Sequence, residues 1–344
     1  MQRILSLSLD RSIARPDGGG SDALDRQMTY VQALRKRDAQ AEMVLFTPGR
    51  GSPFSPTPGL EVVPLGPRAL YPIRSLLEGL RRGPFRIITS QSPFDDGAAA
   101  CVLSRLTGAR FLCQLHSEFT PASTLLLRSA DAVRVVSNAQ AAAVRRRGCR
   151  QVRCLPVPLA VNGHPGRTGS DILFVGRLAP EKHLPLLLDA YEALLRLRAD
   201  ARLVIAGDGP ERRRIEARAR ELGVEMTGWI APSRLPDLYR RAAVLVLPSK
   251  AEAFGRVILE AALFEVPCVA TPTQGASELI EDGRTGFFAR TADDIAERIE
   301  RLLADESLRD RMGRAARTAA LSRVDPARQA EQMADLLLAV AEGP

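Results

Sequence analysis

Short runs of apolar and β-branched residues alternate along this chain with longer segments in which apolar residues recur at helical spacing. Strands that alternate with helices in this way are typical of parallel α/β folds. The alternation occurs in two series. In the first, we predict strands at Arg3–Leu9, Met43–Phe46, Glu61–Val63, Arg86–Thr89, Phe111–Leu115, Ala132–Val136 and Val152–Leu155. The clearest helices between them are Ala23–Arg37 and Ile73–Arg82.

The second series begins after a segment that has no sustained apolar period. Residues 156–170 contain three prolines and three glycines, which predicts a linker between domains. Beyond it we predict strands at Asp171–Val175, Arg202–Ala206, Val224–Thr227, Val244–Leu247 and Cys268–Ala270, with helices at Leu184–Arg198, Glu211–Leu222, Gly255–Phe264 and Pro326–Ala341. We therefore expect domains at residues 1–160 and 161–322, with residues 323–344 forming a helix that packs back on the first domain.

The chain has 344 residues, of which 45% are hydrophobic and 26% are charged. This composition excludes collagen-like, disordered and membrane-spanning classes, and the length suits two globular domains. No apolar run approaches the roughly 18–20 residues that a bilayer requires, and Asp10 interrupts the opening segment before a signal-peptide core forms. The five cysteines show no Cys-x-x-Cys spacing, so we expect neither a disulfide framework nor a thiolate metal site. These features favour a cytoplasmic location for the protein.

The net charge of +8 is unevenly distributed. Residues 1–160 hold 22 Lys and Arg against 12 Asp and Glu, whereas residues 161–344 hold 26 against 28. A positive half attracts anions of any kind. Nucleic acid, an anionic membrane and an anionic substrate therefore stay open at this point, as does a merely solubilising surface.

Several common enzyme motifs are absent from the sequence. It contains no G-x-x-x-x-G-K-[ST] loop, no G-x-S-x-G motif, no H-E-x-x-H and no G-x-G-x-x-G after a predicted strand. Kinases, P-loop NTPases, common hydrolases and dinucleotide dehydrogenases are therefore disfavoured. Asp-x-Asp, a common metal–diphosphate motif, is absent as well, so side chains and backbone would have to neutralise an anionic leaving group.

One group of candidate residues lies in S-K-A-E-A-F-G-R-V-I-L-E, residues 249–260. It follows the predicted strand Val244–Leu247 and enters a helix near Gly255, at the carboxyl end of a strand, where open α/β sheets bind ligands. Amides at a helix start can hold a phosphate. Glu252 precedes these amides and Glu260 lies roughly 7 Å beyond them, which suits a ligand with hydroxyls at both ends, such as a nucleotide sugar. The alternative is a surface glutamate pair around an ordinary helix.

A second group lies in F-V-G-R-L-A-P-E-K, residues 174–182, after the first strand of the second series. Arg177 and Lys182 on this loop are placed to converge on a diphosphate and to stabilise charge on a leaving group without a metal. A solvated basic loop is the alternative. A third segment, A-G-D-G-P, places Gly207 and Gly209 after a strand and lets backbone approach a ligand, although ordinary turn chemistry explains it nearly as well.

Taken together and in this order, these segments resemble the retaining glycosyltransferases of family 4, which have the two-domain GT-B fold. The likeness is strong from Asp171 to Phe288, including A-G-D-G-P, T-G-W, L-P-S, E-A-F-G-R-V-I-L-E and G-R-T-G-F, and moderate from Arg86 to Pro158. The resemblance implies an α/β protein with two doubly wound Rossmann-like domains that face each other across a cleft. The first would bind mainly the acceptor, and the second mainly the nucleotide-sugar donor.

The resemblance also implies roles for individual residues. Arg177 and Lys182 would bind the donor diphosphate, Glu252 would contact the donor sugar, and Glu260 would bind the ribose hydroxyls. His116, which ends a predicted strand, would face the donor sugar. The remaining donor contacts implied by the family are Gly19 and Gly20 in a glycine loop, Gly207, Trp229 and Ile230 near the base, and the backbone around Phe254, Gly255, Val257 and Ile258.

Three departures from the family pattern affect the same loops. The chain has Gln274 and Gly275 where the family often has a Gly-Gly pair, and Arg256 replaces a usually apolar residue. Both bear on the identity of the donor sugar. His183 stands where the family more commonly has a small residue, which would reshape the phosphate loop.

These observations predict a retaining, metal-independent hexosyl-type transferase that uses a UDP- or GDP-sugar and a hydroxyl acceptor, with no further cofactor. Saccharides, lipid-linked intermediates and small metabolites stay open as acceptors, and polysaccharide biosynthesis is the expected setting. One alternative is a nucleotide-sugar epimerase on the same fold, which would need no acceptor. The other is a basic nucleic-acid-binding protein, which the aromatic content of 5% disfavours.

The first domain also contains a segment typical of a membrane-surface helix. Within residues 71–83, one predicted helical face carries four apolar residues beside three arginines, and a second basic cluster follows later. These residues are Ile73, Leu76, Leu77 and Leu80, then Arg74, Arg81 and Arg82, and finally Arg145–Arg147. We expect peripheral association with the anionic inner membrane face, unless the apolar face packs on the domain's own sheet.

Overall fold

The computed structural model describes residues 2–14, 22–116, 119–159, 164–166 and 168–343. The chain divides into two compact units. The first comprises Met1–Pro158 together with Asp325–Pro344, and the second comprises Leu159–Val324. The chain therefore leaves the first unit within the segment predicted as a linker and returns to it for the last helix. Gly19 and Gly20, predicted to approach the donor, lie outside the described residues.

The first unit is built on one eight-stranded sheet. Its strands are β1 (Arg3–Leu7), β2 (Glu42–Thr47), β3 (Phe54–Thr57), β4 (Leu60–Pro64), β5 (Ile87–Ser90), β6 (Arg110–Leu115), β7 (Ala132–Val135) and β8 (Val152–Cys154). The strand order is β3-β4-β2-β1-β5-β6-β7-β8, and every neighbouring pair is parallel except β3 and β4. Parallel neighbours require crossover connections, which here are mostly helices.

The helices of the first half are α1 (Asp22–Arg35), α2 (Tyr71–Arg82), α3 (Asp95–Thr107), α4 (Pro121–Ser129) and α5 (Asn138–Arg146), with short 3-10 turns at Arg11–Ala14 and Arg68–Leu70. Helices α2 to α5 contribute to one apolar core on the sheet, and α1 contributes to another. The sheet is thus covered on both faces, as the near-continuous apolar character of its strands predicts.

The second unit is built on a six-stranded sheet in which all neighbouring pairs are parallel. Its strands are β9 (Asp171–Val175), β10 (Leu203–Ala206), β11 (Glu225–Gly228), β12 (Ala242–Leu247), β13 (Cys268–Ala270) and β14 (Gly286–Phe288). Their order is β11-β10-β9-β12-β13-β14. The chain order reverses between β9 and β12, so the carboxyl ends of these two strands mark the expected ligand crevice.

The helices of the second unit are α6 (Leu184–Leu195), α7 (Arg212–Glu221), α8 (Leu235–Arg241), α9 (Arg256–Leu263), α10 (Gln274–Leu279), α11 (Ala292–Ala304) and α12 (Glu306–Leu321), with 3-10 turns at Pro180–Lys182 and Pro232–Arg234. Helix α11 packs on α6, and α12 packs on α9. Thr291 caps the first turn of α11 with its side chain, and Asp305 does the same for α12, which fixes where each helix begins.

The last helix, α13 (Pro326–Glu342), belongs to the first unit and packs against α1. Its buried residues Ala330, Met333 and Leu337 join the same apolar core as Tyr30 and Leu34 of α1. On the outer side of this contact, Asp335 accepts a hydrogen bond from Arg37 at 2.6 Å. The apolar face recognised in the sequence is therefore a packing face.

Arg134 in β7 is the largest fully buried side chain of the described residues. Its guanidinium donates to the side-chain oxygen of Gln114 at 2.6 Å and to the hydroxyl of Tyr30 at 3.2 Å. It also donates to the carbonyl oxygens of Leu155 and Pro156, both at 3.0 Å. These bonds satisfy the buried charge and fasten the chain where it leaves the first unit.

The parallel α/β class predicted from the sequence is confirmed, and the predicted strands occur with ends shifted by at most a few residues. Two strands were missed. β3 contains Pro56 and lies at the sheet edge, where proline is tolerated, and β14 has only three residues. Within the part of the chain that the structure describes, no helix combines the length and apolar character needed to span a bilayer.

Candidate functional site

The candidate site lies at the carboxyl end of the second sheet. Here the segments after β9, β10 and β11 line a cavity of about 360 Å³, whose residues are Val175, Gly176, Arg177, Ala206, Gly207, Asp208, Trp229, Ile230 and Leu235. Four residues predicted from the sequence thus share one cavity, namely Arg177, Gly207, Trp229 and Ile230. This is the end of an open parallel sheet at which ligands bind.

Gly207 brings the backbones after β9 and β10 into close approach. Its φ is +145°, and a Cβ added there would lie 1.8 Å from the carbonyl oxygen of Gly176. The Gly207 amide donates to the carbonyl oxygen of Gly228 at 2.8 Å, which ties the segment after β11 to the same place. Only glycine fits this position, so this part of the cavity is lined by backbone.

Arg177 and Lys182 differ in their charge environment. Arg177 is exposed, and its side chain has no hydrogen-bonded or ionic partner within the described residues. Lys182 is mostly buried and its ammonium forms a close ion pair with the carboxylate of Glu252. The arginine therefore supplies an uncompensated positive charge, whereas the lysine charge is already shared with a carboxylate.

The Lys182–Glu252 pair joins the loops after β9 and β12, and backbone hydrogen bonds reinforce the junction. The amide of Lys250 donates to the carbonyl oxygen of Glu181 at 2.8 Å. The amide of Gly275 donates to the carbonyl oxygen of Glu252, also at 2.8 Å, and connects the segment after β13. Three neighbouring strands thus hold Glu252 in place.

His183, directly after Lys182, has a left-handed backbone with φ +50° and precedes α6. Few non-glycine residues adopt this conformation, because the conflict comes from the Cβ atom that only glycine lacks. Burial, with a smaller contribution from the charge of Lys250, lowers the pKa of His183 below its usual value. The histidine is therefore neutral at pH 7.

Helix α9 begins beside Glu252. Gly255 precedes its first turn with φ +82°, and no side chain caps the helix start. The amide of Ile258 donates to the carbonyl oxygen of Gly255 at 2.9 Å. The first amides of an α-helix generally lack an acceptor within the helix, so the start of α9 favours an anion. Of the backbone positions predicted to contact the donor, Ile258 has its amide already engaged.

Glu260 is buried, and both oxygens of its carboxylate accept hydrogen bonds from within the unit. The hydroxyl of Tyr239 donates to Oε2 at 2.8 Å, and Nη2 of Arg256 donates to Oε1 at 3.2 Å. Burial first, and then the charge of Glu260, raise the pKa of Tyr239 well above its usual value. The phenol therefore stays protonated and fixes the orientation of the carboxylate.

Two family models match the chain. The model described as "Glycosyl transferases group 1" matches residues 165–319, and the model described as "Glycosyl transferase 4-like domain" matches residues 25–160. The two matches together cover most of the sequence. The chain belongs to the family 4 glycosyltransferases with the GT-B fold.

Relatives of this family 4 member include the α-D-kanosaminyltransferase of Streptomyces kanamyceticus, which is 40% identical over 148 residues. The match covers 41% of this chain and 38% of the relative, so the chain spans well under half the length of curated relatives it matches. Anabaena HepE in complex with UDP and glucose has a TM-score of 0.79 at 19% identity, over 98% of this chain and 100% of that chain. Sucrose-phosphate synthase from Thermosynechococcus elongatus has a TM-score of 0.79 at 21% identity, over 98% of each chain.

In this glycosyltransferase family member, His116 belongs to the first unit. It directly follows β6 and is half-buried at the carboxyl end of that sheet. Its contact with the donor sugar stays a prediction, as does that of Glu252. Phe254 is buried beside the start of α9, so the backbone there, rather than the Phe254 ring, is available to a ligand.

No pattern in the sequence indicates Tyr239, Asp208 or Leu235 as site residues, and Arg256 stands out only as a departure from the family pattern. Arg256 and Glu260 are four residues apart on one helix, and this spacing predicts their ion pair. Tyr239 lies on another helix, α8, so its contact with Glu260 could not be predicted from spacing. Among the described residues, no group of three or more His, Cys, Asp or Glu side chains is placed to hold a metal ion.

Proposed function

We propose that this protein transfers a hexosyl-type group from a UDP- or GDP-sugar to a hydroxyl acceptor, with retention of anomeric configuration and without a metal. The donor binds mainly to the second unit, and the acceptor binds mainly to the first. Saccharides, lipid-linked intermediates and small metabolites all have suitable hydroxyls. The observation that carries the proposal is the uncompensated Arg177 at the same end of the sheet as the Lys182–Glu252 ion pair.

Each part of a nucleotide sugar has a suitable partner at this site. Trp229 is 63% exposed and offers an aromatic face to a base. The oriented carboxylate of Glu260 is an acceptor for ribose hydroxyls. Arg177 and the amides at the start of α9 are donors for a diphosphate. Glu252, held by Lys182, is an acceptor for sugar hydroxyls.

The proposed reaction is a front-face substitution at the anomeric carbon. The bond from that carbon to the diphosphate oxygen breaks, and its electron pair leaves with the diphosphate. The acceptor hydroxyl oxygen attacks from the same face, and its proton passes to a phosphate oxygen of the donor. Arg177, Lys182 and the α9 amides stabilise the charge that develops on the leaving group. His116 is assigned to the sugar side of the donor.

The names of similar proteins support this chemistry. Structures of Anabaena HepE are described as complexes with UDP and with UDP-glucose. The Streptomyces relative is named for the transfer of a sugar. Neither the epimerase nor the nucleic-acid-binding alternative is favoured by these relatives.

A nucleotide screen tests the donor assignment. Purified protein is heated with UDP, GDP, ADP and dTDP, and we expect one of the first two to raise the Tm most. A ligand at 100 times its Kd stabilises a protein by about 2.7 kcal/mol. The stabilising nucleotide then selects the sugar donors for transfer assays with EDTA and with added metal. No stabilisation by any nucleoside diphosphate, or activity lost with EDTA, contradicts the proposal.

Product analysis separates transfer from epimerisation and tests retention. Proton NMR of the product reports the anomeric configuration, and we expect it to match that of the donor. An epimerase would convert the nucleotide sugar in the absence of any acceptor. Inverted product, or a new nucleotide sugar without acceptor, would overturn this part of the proposal.

We also propose that α2 contacts an anionic membrane surface. Ile73, Leu77 and Leu80 are 61%, 65% and 49% exposed, so they do not pack on the sheet. Leu76, predicted to share their face, instead packs against the core. Arg81 and Arg82 both pair with Glu78, which reduces the charge that α2 offers and leaves Arg145–Arg147 as the main basic contribution.

Vesicle co-sedimentation tests this contact. Vesicles of phosphatidylcholine with and without phosphatidylglycerol are compared at low and high salt. The variant Ile73→Ser/Leu77→Ser should bind less than the unmodified protein. The control Leu197→Ser/Leu321→Ser removes two exposed leucines from the second unit and should bind normally. Equal binding by all three proteins would show that Ile73 and Leu77 do not contact the vesicle surface, and would overturn this proposal.

A further inference from the structure

A second cavity, of about 650 Å³, lies at the amino end of the first unit's sheet and is called the amino-end cavity below. Its floor is formed where β6, β7 and β8 begin, and Arg110, Ala132 and Arg153 line it. One wall is the last part of α13, with Leu336 and Val340. All of its residues belong to the first unit, whereas the proposed donor residues Arg177 to Glu260 belong to the second.

The amino-end cavity is strongly positive. Among the described residues that line it, Asp131 is the one carboxylate. It pairs with Arg110 at 2.8 Å, and its second oxygen accepts a hydrogen bond from the amide of Phe111, also at 2.8 Å. Three further arginines line the cavity and are exposed. Within the described residues they have no hydrogen-bonded or carboxylate partner; they are Arg128, Arg150 and Arg153.

Ordinary helix chemistry does not account for this cluster. Arginines are favoured in the last turn of a helix because they interact with its carbonyl groups, and Arg128 at the end of α4 fits that explanation. Arg150 lies in a loop and Arg153 in a strand, so neither has a helix end to complement. Three like charges around one cavity repel one another, and an anion bound between them offsets this repulsion.

We propose that the amino-end cavity binds a phosphate-bearing ligand. Arg128, Arg150 and Arg153 surround the phosphate, because the guanidinium fork matches phosphate oxygens. Leu336 and Val340 contact an apolar part of the same molecule. The ligand is either a soluble phosphate compound or the headgroup region of a phospholipid, since both present this chemistry. The proposal does not depend on the donor assignment.

Two variants test the cavity in independent ways. Arg150→Gln/Arg153→Gln removes two unpaired charges from exposed positions, so the fold is unaffected. Ala339→Phe keeps every charge and fills the cavity from the exposed side of α13. The control Arg213→Gln/Arg220→Gln removes two exposed arginines from α7 of the second unit, and therefore lowers the net charge equally.

Two probes distinguish the sources of phosphate. Binding of inorganic pyrophosphate is measured by calorimetry, and binding to phosphatidylcholine vesicles that contain phosphatidylglycerol is measured by sedimentation. We expect both cavity variants to weaken one of these interactions about tenfold, and the control to leave it unchanged. An effect on pyrophosphate identifies a soluble ligand, and an effect on vesicles alone identifies a lipid headgroup.

Three results would overturn the proposal. The first is equal binding of both probes by the cavity variants and the unmodified protein. The second is the same loss in the control as in Arg150→Gln/Arg153→Gln, with none in Ala339→Phe, because that pattern reports net charge alone. The third is pyrophosphate binding that Arg177→Ala abolishes and the cavity variants retain, together with vesicle binding that the cavity variants do not weaken, because pyrophosphate would then report the donor site alone.

Discussion

The hydroxyl of Tyr239 donates to Oε2 of Glu260 across 2.8 Å inside the second unit. If Glu260 holds the ribose, this bond sets the position of the carboxylate without touching the ligand. Tyr239→Phe should therefore weaken binding of the preferred nucleoside diphosphate about tenfold, which titration calorimetry measures directly.

A second tyrosine provides the control for this variant. Tyr191 in α6 donates its hydroxyl to the carbonyl oxygen of Ala201 at 2.9 Å, away from the cavity lining. Tyr191→Phe should lower the stability of the second unit by about 1 kcal/mol, as Tyr239→Phe does, and leave nucleotide binding unchanged. Equal nucleotide affinity in both variants would exclude Tyr239 as a positioning residue.

The two cations proposed for the diphosphate should respond differently in a double-mutant cycle with Glu252. Arg177→Ala removes a side chain without a partner and should lower kcat/KM about 10²–10³-fold, independently of Glu252→Ala. Lys182→Ala leaves Glu252 without its ion partner, so its effect and that of Glu252→Ala should not multiply. Multiplying effects for Lys182 and Glu252 would show that their pairing is unimportant to catalysis.

Gly207 should be far less replaceable than a glycine that needs only an unusual backbone angle. Gly223 also has a positive φ, +70°, but an added Cβ there meets nothing within 4 Å. Gly223→Ala should therefore cost about 1–2 kcal/mol through backbone strain. Gly207→Ala adds a collision with Gly176 and should lower the Tm clearly more, and activity with it. Equal Tm losses would show that the loops after β9 and β10 separate easily.

Asp96 should make the first unit less stable as the pH rises from about 4 to about 6. It is fully buried at the start of α3, and burial raises its pKa to about 6, although the amides of Gln91 and Ser92 donate to it. Between its unfolded and folded pKa values, the unfolded chain has released the proton and the folded chain retains it. The stabilising contribution is thus complete below about pH 4 and is lost as the pH passes 6, with a total of about 3 kcal/mol.

Unfolding curves of Asp96→Asn and Asp95→Asn measure this effect. Asp95 is the exposed neighbour on the same turn and serves as the control. The stability of Asp96→Asn relative to the unmodified protein should increase across this pH range, and that of Asp95→Asn should not. A constant difference for Asp96→Asn would show that the hydrogen bonds to the carboxylate outweigh its burial.

Local patterns in the sequence were sufficient for most of the fold and for the placement of the site. The strands of a doubly covered parallel sheet are short apolar runs, and β9 and β12 were recognised in this way with the loops that follow them. The rule that ligands bind at the carboxyl ends of such strands then selected Arg177 and Gly207. Both line the observed cavity.

Contacts between distant segments could not be predicted in this way. Lys182 and Glu252 are 70 residues apart, and only the fold brings the cation and the carboxylate together. Helix α2 illustrates the same limit. Its apolar period suggested that Leu76 shares a face with Leu77, but α2 packs on α3 through Gly79, where the absence of a side chain makes room for Leu103. With α2 packed in this orientation, Leu76 points toward the core and Leu77 stays exposed.

The packing of α13 on α1 has a consequence for synthesis on the ribosome. The first unit is interrupted at Pro158 and resumes only at Asp325, whereas the second unit is one continuous stretch of chain. A nascent chain therefore has every residue of the second unit available before the first unit receives Met333 and Leu337 for its core. We therefore expect the second unit to complete its folding first. Until α13 is synthesised, the first unit lacks part of its core, and the apolar surface beside Tyr30 stays uncovered.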